Sequence, residues 1–199
     1  NAAKTFDEFV KKFPKDERLD ECRLRNGAAL TGLERHADAE KLYQQVQSVA
    51  TSPYAEYALY QLALCVQAQD KLPQAADLFE SLPKRFPKGS YFGSALLSGG
   101  KCRFRAEQFP QAATDFTQVI ARKDAGADEA AWLLGRSLMR QANPAAAVKV
   151  LDQGIAANPQ STFLPDMRFS RLEGLASQPE SRKTAPAQFV AFAQQNADH

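Results

Sequence analysis

The chain has 199 residues, of which 44% are hydrophobic and 24% are charged, and its formal net charge is +2. This is the composition of an ordinary globular protein, and the near-neutral charge argues against bulk attraction to nucleic acid. The longest apolar runs are shorter than the roughly 18 residues that span a bilayer, so we expect no transmembrane helix.

One pattern of small and large apolar residues recurs from the beginning of the chain to its end. An alanine is followed, in most copies, by large apolar residues four and seven positions later, and the alanines are 37, 36, 37, 35 and 38 residues apart. Residues at these offsets share one face of a helix, so each copy predicts a helix packed along that face. The copies are Ala2/Phe6/Phe9, Ala39/Tyr43/Val46, Ala75/Phe79/Leu82, Ala112/Phe116/Val119, Ala147/Leu151 and Ala185/Phe189/Phe192.

A second apolar segment precedes each copy after the first and has a small residue near its middle. Glycine inside a helix costs up to about 1 kcal/mol relative to alanine, so its recurrence predicts close packing against the partner helix. Prolines such as Pro14, Pro87 and Pro159 follow several copies and end the helix. The small residues are Gly27, Ala63, Gly100, Gly135 and Gly174.

These signals predict eleven helices and no strands, paired as helical hairpins. We expect one repeat domain over residues 1–199, with a leading second-type helix at 1–14 and repeats at about 18–53, 54–89, 90–125, 126–160 and 161–197. The leading helix lacks a first-type partner, which indicates either a piece of a longer array or a capping helix. The expected helices span residues 3–13, 18–33, 37–50, 54–69, 73–85, 90–106, 110–122, 127–141, 145–157, 162–176 and 185–196.

The small residue of the first helix, the alanine and aromatic of the second, and the closing proline resemble the tetratricopeptide repeat family over essentially the whole chain. The most similar copies are residues 56–87 and 93–124, where Leu-Pro-Gln-Ala-Ala and Phe-Pro-Gln-Ala-Ala open the second helices. Val66 and Arg103 stand where the family has a tyrosine. The resemblance implies an all-α fold, an α-solenoid of antiparallel helical hairpins that forms a right-handed superhelix.

Two signals about the compartment disagree. The ending Phe86-Pro87-Lys88-Gly89-Ser90 is similar to repeats of bacterial cell-envelope proteins, which implies the periplasm or cell envelope. Three unpaired cysteines are typical of a reducing compartment, so the cytoplasm is the alternative. We expect Cys22, Cys65 and Cys102 to be free thiols, because equivalent positions on stacked helices are too far apart for a disulfide.

Catalytic chemistry is not indicated. His36, in a predicted turn, and His199, at the terminus, are the two histidines, and no set of nucleophile, base and orienting group can be assembled around them. We expect Asp115, Asp128 and Glu129 to lie on a solvated helix face without metal-ligand spacing. The chain is therefore predicted to be no enzyme and to hold no cofactor or metal.

In the tetratricopeptide family the first helices of the hairpins line a concave groove, and the resemblance places a partner-binding site there. Aromatic residues, methionine and arginine are enriched at interface centres, so the groove would suit a peptide with apolar anchors and acidic groups. The alternatives are that the cations only aid solubility and that Trp132 is buried between repeats. The candidates are Tyr57, Tyr60, Leu64, Leu97, Lys101, Phe104, Arg105, Trp132, Arg136, Met139 and Arg140.

The predicted function is a non-catalytic scaffold that binds a peptide or protein partner. The alternative is a partner-binding or regulatory segment of a larger enzyme or multi-repeat protein whose catalytic part lies elsewhere. Helical-hairpin arrays can also bind RNA, but the low net charge argues against a nucleic-acid partner.

Overall fold

The computed structural model describes residues 2–13 and 16–195, and within them every regular element is an α-helix. Eleven helices are present in this part of the chain, as predicted. Pro14, His199 and the predicted helix end at 196 lie outside the described residues. The helices are α1 (Ala2–Lys12), α2 (Leu19–Gly32), α3 (His36–Gln47), α4 (Ala55–Ala68), α5 (Leu72–Arg85), α6 (Phe92–Arg105), α7 (Phe109–Arg122), α8 (Ala127–Arg140), α9 (Pro144–Ala157), α10 (Leu164–Ala176) and α11 (Ala185–Gln195).

The chain forms two compact units, Asn1–Cys102 and Arg103–His199. In the first unit α1 packs on α2, α2 on α3, α3 on α4 and α4 on α5. In the second unit α7 packs on α8, α8 on α9 and α9 on α10, and α10 also contacts α8 and α11. Each unit is thus a stack of antiparallel helical hairpins, which confirms the predicted solenoid fold class. The single repeat domain and its repeat boundaries stay a prediction.

The turn inside each of four hairpins is closed in the same way. One residue takes a left-handed backbone conformation, with φ of 58° at Glu34, 59° at Asp70, 59° at Glu107 and 56° at Ala142. The backbone N–H of the residue after it donates to a carbonyl five residues back, as in Arg35 to Leu30 and Asn143 to Leu138. This bond satisfies one carbonyl at the end of the first helix. The second helix then begins at once, with proline in its first turn in α5, α7 and α9, as expected.

The glycines in the first helices allow close packing within the hairpin, as predicted. A Cβ atom on Gly27 would lie 2.8 Å from the ring of Tyr43, and one on Gly135 would lie 2.6 Å from Leu151. Tyr43 and Leu151 are the residues four positions after Ala39 and Ala147, and both are fully buried. The recurring small and large positions are therefore the two halves of one contact.

One predicted helix end is wrong by more than two residues. The third helix was expected to continue to residue 50 and ends at Gln47. The Ser48 hydroxyl donates to the Gln45 carbonyl at 2.7 Å and so competes for the helix backbone.

The expectation that Asp115 lies on a solvated helix face is also wrong. Asp115 is 5% exposed and Arg103 is 8% exposed, and the Arg103 Nη1 atom donates to Asp115 Oδ2 at 2.5 Å. A carboxylate at this depth needs a partner to offset its desolvation, and Arg103 supplies it from the preceding helix. Asp128 is half-buried and accepts a hydrogen bond from the Ser161 hydroxyl at 2.6 Å.

Candidate partner-binding surface

One face of α8 in the second unit presents two exposed arginines held against aromatic rings. Trp132, Arg136 and Arg140 are spaced four residues apart, so they follow one another along this face. The Arg136 guanidinium carbon lies 5.5 Å from the ring centroid of Phe104 and 5.3 Å from that of Trp132. Both distances are within the range of cation–π attraction, so the rings restrain the Arg136 side chain.

Arg140 is held in the same manner one turn further on. Its guanidinium carbon lies 5.1 Å from the ring centroid of Phe109, and Phe109 meets Phe104 edge to face at 5.4 Å. The Glu107 carboxylate approaches Arg140 only at 3.9 Å, and both side chains are more than half exposed. Such a surface pair stabilises little, so the charge of Arg140 stays available to a ligand.

We call Phe104, Phe109, Trp132, Arg136 and Arg140 the arginine–aromatic surface. A guanidinium can contact an aromatic ring and still donate hydrogen bonds to a carboxylate. Arg136 is exposed, and among the described residues it forms no ion pair. The surface can therefore donate several hydrogen bonds to carboxylates from side chains that are already restrained.

Trp132 also joins neighbouring hairpins. Its ring stacks on Phe163 with centroids 5.5 Å apart, and its indole N–H donates to the Ser170 hydroxyl at 3.2 Å. Trp132 is half-buried, which agrees with the alternative that it packs between repeats. Met139 of α8 also lies against the next hairpin, because its sulfur would be 3.5 Å from a Cβ atom added to Gly174 of α10.

The candidates of the first unit form a different, tyrosine-rich cluster. The Tyr91 ring stacks on Tyr60 with centroids 4.7 Å apart and lies 5.8 Å from the ring of Tyr57. Tyr60 and Leu64 are half-buried against the core of this unit, whereas Tyr57 is 36% exposed. Burial raises the pKa of Tyr91, so the hydroxyl group of Tyr91 is neutral at physiological pH.

The remaining candidates lie on α6. Leu97 and Lys101 are half-buried in the first unit, and Arg105 is exposed in the second. The structure thus brings six predicted residues into two clusters: Phe104, Trp132, Arg136 and Arg140 in one, and Tyr57 and Tyr60 in the other.

Sequence reasoning missed Tyr91, Phe109 and Phe163, whose rings complete these clusters. A signal for two of them was present, because Tyr54, Tyr91 and Phe163 each stand directly before a first-type helix. Phe109 opens α7, where the equivalent residue of α5 is Leu72, so an apolar residue recurs at this position but an aromatic one does not.

Within residues 2–13 and 16–195, no group of three or more His, Cys, Asp or Glu side chains could hold a metal ion. The three cysteines are free, and burial raises the pKa of the Cys65 thiol, which disfavours the reactive thiolate. His36 begins α3 instead of lying in a turn, and it is half-buried. None of the described helices has both the length and the apolar character required to cross a membrane.

Comparison with known proteins agrees with this architecture. Residues 57–89 and 99–162 match models of the tetratricopeptide repeat family. No curated protein matches the sequence.

Solved structures match the fold at low sequence identity. YrrB, described as a tetratricopeptide repeat protein with an unusual peptide-binding site, is 16% identical with a TM-score of 0.73, over 99% of this chain and 95% of that one. A tetratricopeptide repeat protein from Parabacteroides merdae is 13% identical with a TM-score of 0.71, over 96% of this chain and 67% of that one. The Rap conjugation gene regulator of plasmid pLS20, solved with the Phr* peptide, is 11% identical with a TM-score of 0.53, over 98% of this chain and 58% of that one.

Likeness at these identities shows the fold, and the two family matches show the repeat within it. The matched residues include most of α4, with Tyr57 and Tyr60, and all of α8, with Trp132, Arg136 and Arg140. The chain therefore carries tetratricopeptide repeats at residues 57–89 and 99–162 within a fold of helical hairpins.

Proposed function

We propose that the protein is a non-catalytic scaffold that binds a partner polypeptide on the arginine–aromatic surface. The observation that carries this proposal is the exposed Arg136 guanidinium between the rings of Phe104 and Trp132. Arginine and large aromatic side chains are the residues that most often dominate binding energy at protein interfaces. Pre-ordered side chains also lose less entropy when a partner binds.

The chemistry of the surface selects a partner with acidic groups beside apolar ones. Carboxylates would accept hydrogen bonds from Arg136 and Arg140, and an aromatic or aliphatic side chain would contact the exposed edges of the rings. Of the solved structures with the same fold, one is described as having a peptide-binding site and another was solved with a bound peptide. Both descriptions are consistent with a peptide or protein as the partner class.

The test begins with affinity capture of the partner from the source organism, followed by titration calorimetry with the purified partner. The double variant Arg136→Glu and Arg140→Glu should weaken binding at least tenfold, because two attractive charges become repulsive. The matched control reverses Lys149 and Lys183, two exposed cations of the same unit outside this surface, and should change the affinity less than twofold.

Circular dichroism must show the same helix content in both variants. An affinity that the double variant leaves unchanged would refute the surface as the binding site. The absence of a nucleic-acid partner is a further part of the proposal, and strongly salt-dependent binding to RNA would contradict it.

Localisation in the bacterial periplasm or cell envelope stays a prediction, with the cytoplasm as the alternative. Cell fractionation of the source organism distinguishes the two compartments. The alternative of a larger enzyme or multi-repeat protein is decided by the full-length product of the gene.

A further inference from the structure

A second candidate site lies in the first unit, in a cleft between α1 and α3 with α2 as its floor. The cleft has a volume of about 560 Å³ and includes Lys4 of α1, Asn26 and Leu30 of α2, and Lys41 and Leu42 of α3. This volume is within the range of about 300–1,000 Å³ that is usual for ligand pockets. We call it the Asn26 cleft.

Asn26 occupies a position that the repeat elsewhere uses for packing. It stands thirteen residues before Ala39, and the residues thirteen before Ala75 and Ala147 are Leu62 and Leu134. Both leucines are buried, and Leu134 lines an equivalent cleft between α7 and α9. Asparagine at this position therefore departs from the apolar frame of the repeat.

The Asn26 side chain lacks the hydrogen bond that its burial demands. Asn26 is only 3% exposed, and its Oδ1 atom accepts no hydrogen bond within the described part of the chain. A buried polar atom without a partner is costly and is rare in folded proteins. The side chain is thus placed to receive a donor from outside the chain.

Charge around the cleft indicates the second property of the ligand. Lys4, Arg35 and Lys41 supply three positive charges, and Asp38 is the one carboxylate among the described residues that line it. Asp38 pairs with Arg35 at 2.7 Å and with Lys41 at 3.4 Å, so the lining keeps an excess of positive charge. A ligand with negative charge complements this rim.

We propose that the Asn26 cleft binds a short acidic segment of a partner polypeptide. A backbone N–H of the segment donates to Asn26 Oδ1, its carboxylates pair with Lys4 and Lys41, and an apolar side chain rests on Leu30 and Leu42. A simple anion such as phosphate or citrate offers few or no donors at neutral pH, whereas a peptide brings N–H donors together with carboxylates.

This site is separate from the proposed function, which uses α8. The probe is a blocked hexapeptide of alternating glutamate and leucine, titrated into the ¹⁵N-labelled full chain and followed by heteronuclear NMR. We expect saturable shifts of the Asn26 side-chain amide resonances and of backbone amides in α1 and α3. A blocked peptide of alternating lysine and leucine should not produce them.

Two variants test the assignment to named atoms. Asn26→Leu introduces the leucine that the repeat has at positions 62 and 134, so the variant should keep the fold. It should raise the Kd of the acidic peptide at least tenfold. Lys41→Glu should raise the Kd at least threefold. Its matched control is Lys149→Glu, which stands two residues after Ala147 as Lys41 stands two after Ala39, and it should leave the Kd unchanged.

The inference is overturned if the acidic peptide gives no saturable shift at Asn26, or if Asn26→Leu binds it as tightly as the wild-type chain. Equal binding of a single-stranded RNA oligonucleotide at the same resonances would also overturn it, since the ligand would then be a nucleic acid. The variant with Arg136 and Arg140 reversed should bind the probe with unchanged Kd, so failure of either site is separable from failure of the other.

Discussion

The two units place different chemistry at equivalent positions of the repeat. In the second unit, Arg103 and Asp115 form a buried ion pair. In the first unit, the residues at the same distances from Ala75 are Val66, which is buried in the apolar core, and Leu78, which is partly buried against it. Since two aliphatic side chains and an ion pair fill the same place, the repeat does not require the charges. The small and large positions recur in both units, whereas the charges at this pair occur in one of them.

The largest expected effect comes from breaking the ion pair on one side only. Asp115→Ala should lower the free energy of unfolding by about 3–5 kcal/mol, because it leaves the buried charge of Arg103 without this carboxylate. Urea denaturation followed by circular dichroism measures the change.

The matched control replaces the ion pair of the second unit by the two aliphatic residues that the first unit has at these positions. The double variant Arg103→Val and Asp115→Leu should be within about 1 kcal/mol of the wild type, or more stable, because buried ion pairs contribute little relative to good apolar packing. A double variant as unstable as Asp115→Ala would contradict the equivalence of the two positions.

A smaller effect is expected at the contact that both units share, a glycine against a large side chain. Gly27→Ala should cost about 1–3 kcal/mol, because the new methyl group overlaps the buried ring of Tyr43. The control is Gly32→Ala in the same helix, where nothing lies within 4 Å of the added Cβ atom. That control should gain up to about 1 kcal/mol from helix propensity. Equal destabilisation by both changes would show that the Tyr43 contact is not the cause.

The next test compares Asn26, at the floor of its cleft, with Leu134, which occupies the equivalent position in the second unit. Asn26→Leu should stabilise the free protein by about 1 kcal/mol, because it removes an unpaired buried polar group. Gln45→Leu, also in the cleft but exposed, should change stability by less than about 0.5 kcal/mol. A destabilised Asn26→Leu variant would mean that the asparagine stabilises the free fold.

The smallest effect concerns an acidic residue in the first turn of a first-type helix. In each unit this residue accepts a hydrogen bond from the turn after the hairpin, but the donor differs between the units. Glu56 accepts a hydrogen bond from the backbone N–H of Tyr91, whereas Asp128 accepts one from the Ser161 hydroxyl. The hydrogen bond from Ser161 lowers the pKa of Asp128. Ser161→Ala should therefore raise this pKa, as measured by NMR titration of the Asp128 carboxyl carbon.

A lowered pKa in the folded state means that the stabilisation is complete above the unfolded value of about 3.9 and is lost as pH falls through the folded value. The stability difference between wild type and Ser161→Ala should accordingly be constant near neutral pH and shrink in acid. An Asp128 pKa that does not move would exclude the hydroxyl as its cause.

Much of the fold was predictable because its signals are local. The spacing of alanine and large apolar residues identified each second helix, and proline marked the first turns of α5, α7 and α9. The glycine positions even predicted the close contact inside the hairpin that Gly27 makes with Tyr43. The α3 end was missed because the competing Ser48 hydrogen bond depends on a side-chain rotamer.

The candidate surface was predicted only in part. Membership of first helices placed Arg136 and Trp132 on one face. It predicted neither the Phe109 ring of the surface nor the Phe163 ring that stacks on Trp132. Phe109 opens α7 and Phe163 directly precedes α10, and whether their rings reach α8 depends on how the hairpins stack. Whether the surface binds a partner stays a prediction.

The sequence by itself determined the eleven helices, their pairing into hairpins and the tetratricopeptide repeat. The helices follow from rules that act within about ten residues, and the repeat follows from one pattern that recurs every 35–38 residues. The tertiary structure decided that Asp115 is buried beside Arg103, that Arg136 lies between two rings, and that the Asn26 oxygen has no described partner. Those outcomes depend on which side chains meet between helices. Such contacts involve residues distant in the chain, where a charge or an amide can be solvated, paired or isolated without changing the local pattern.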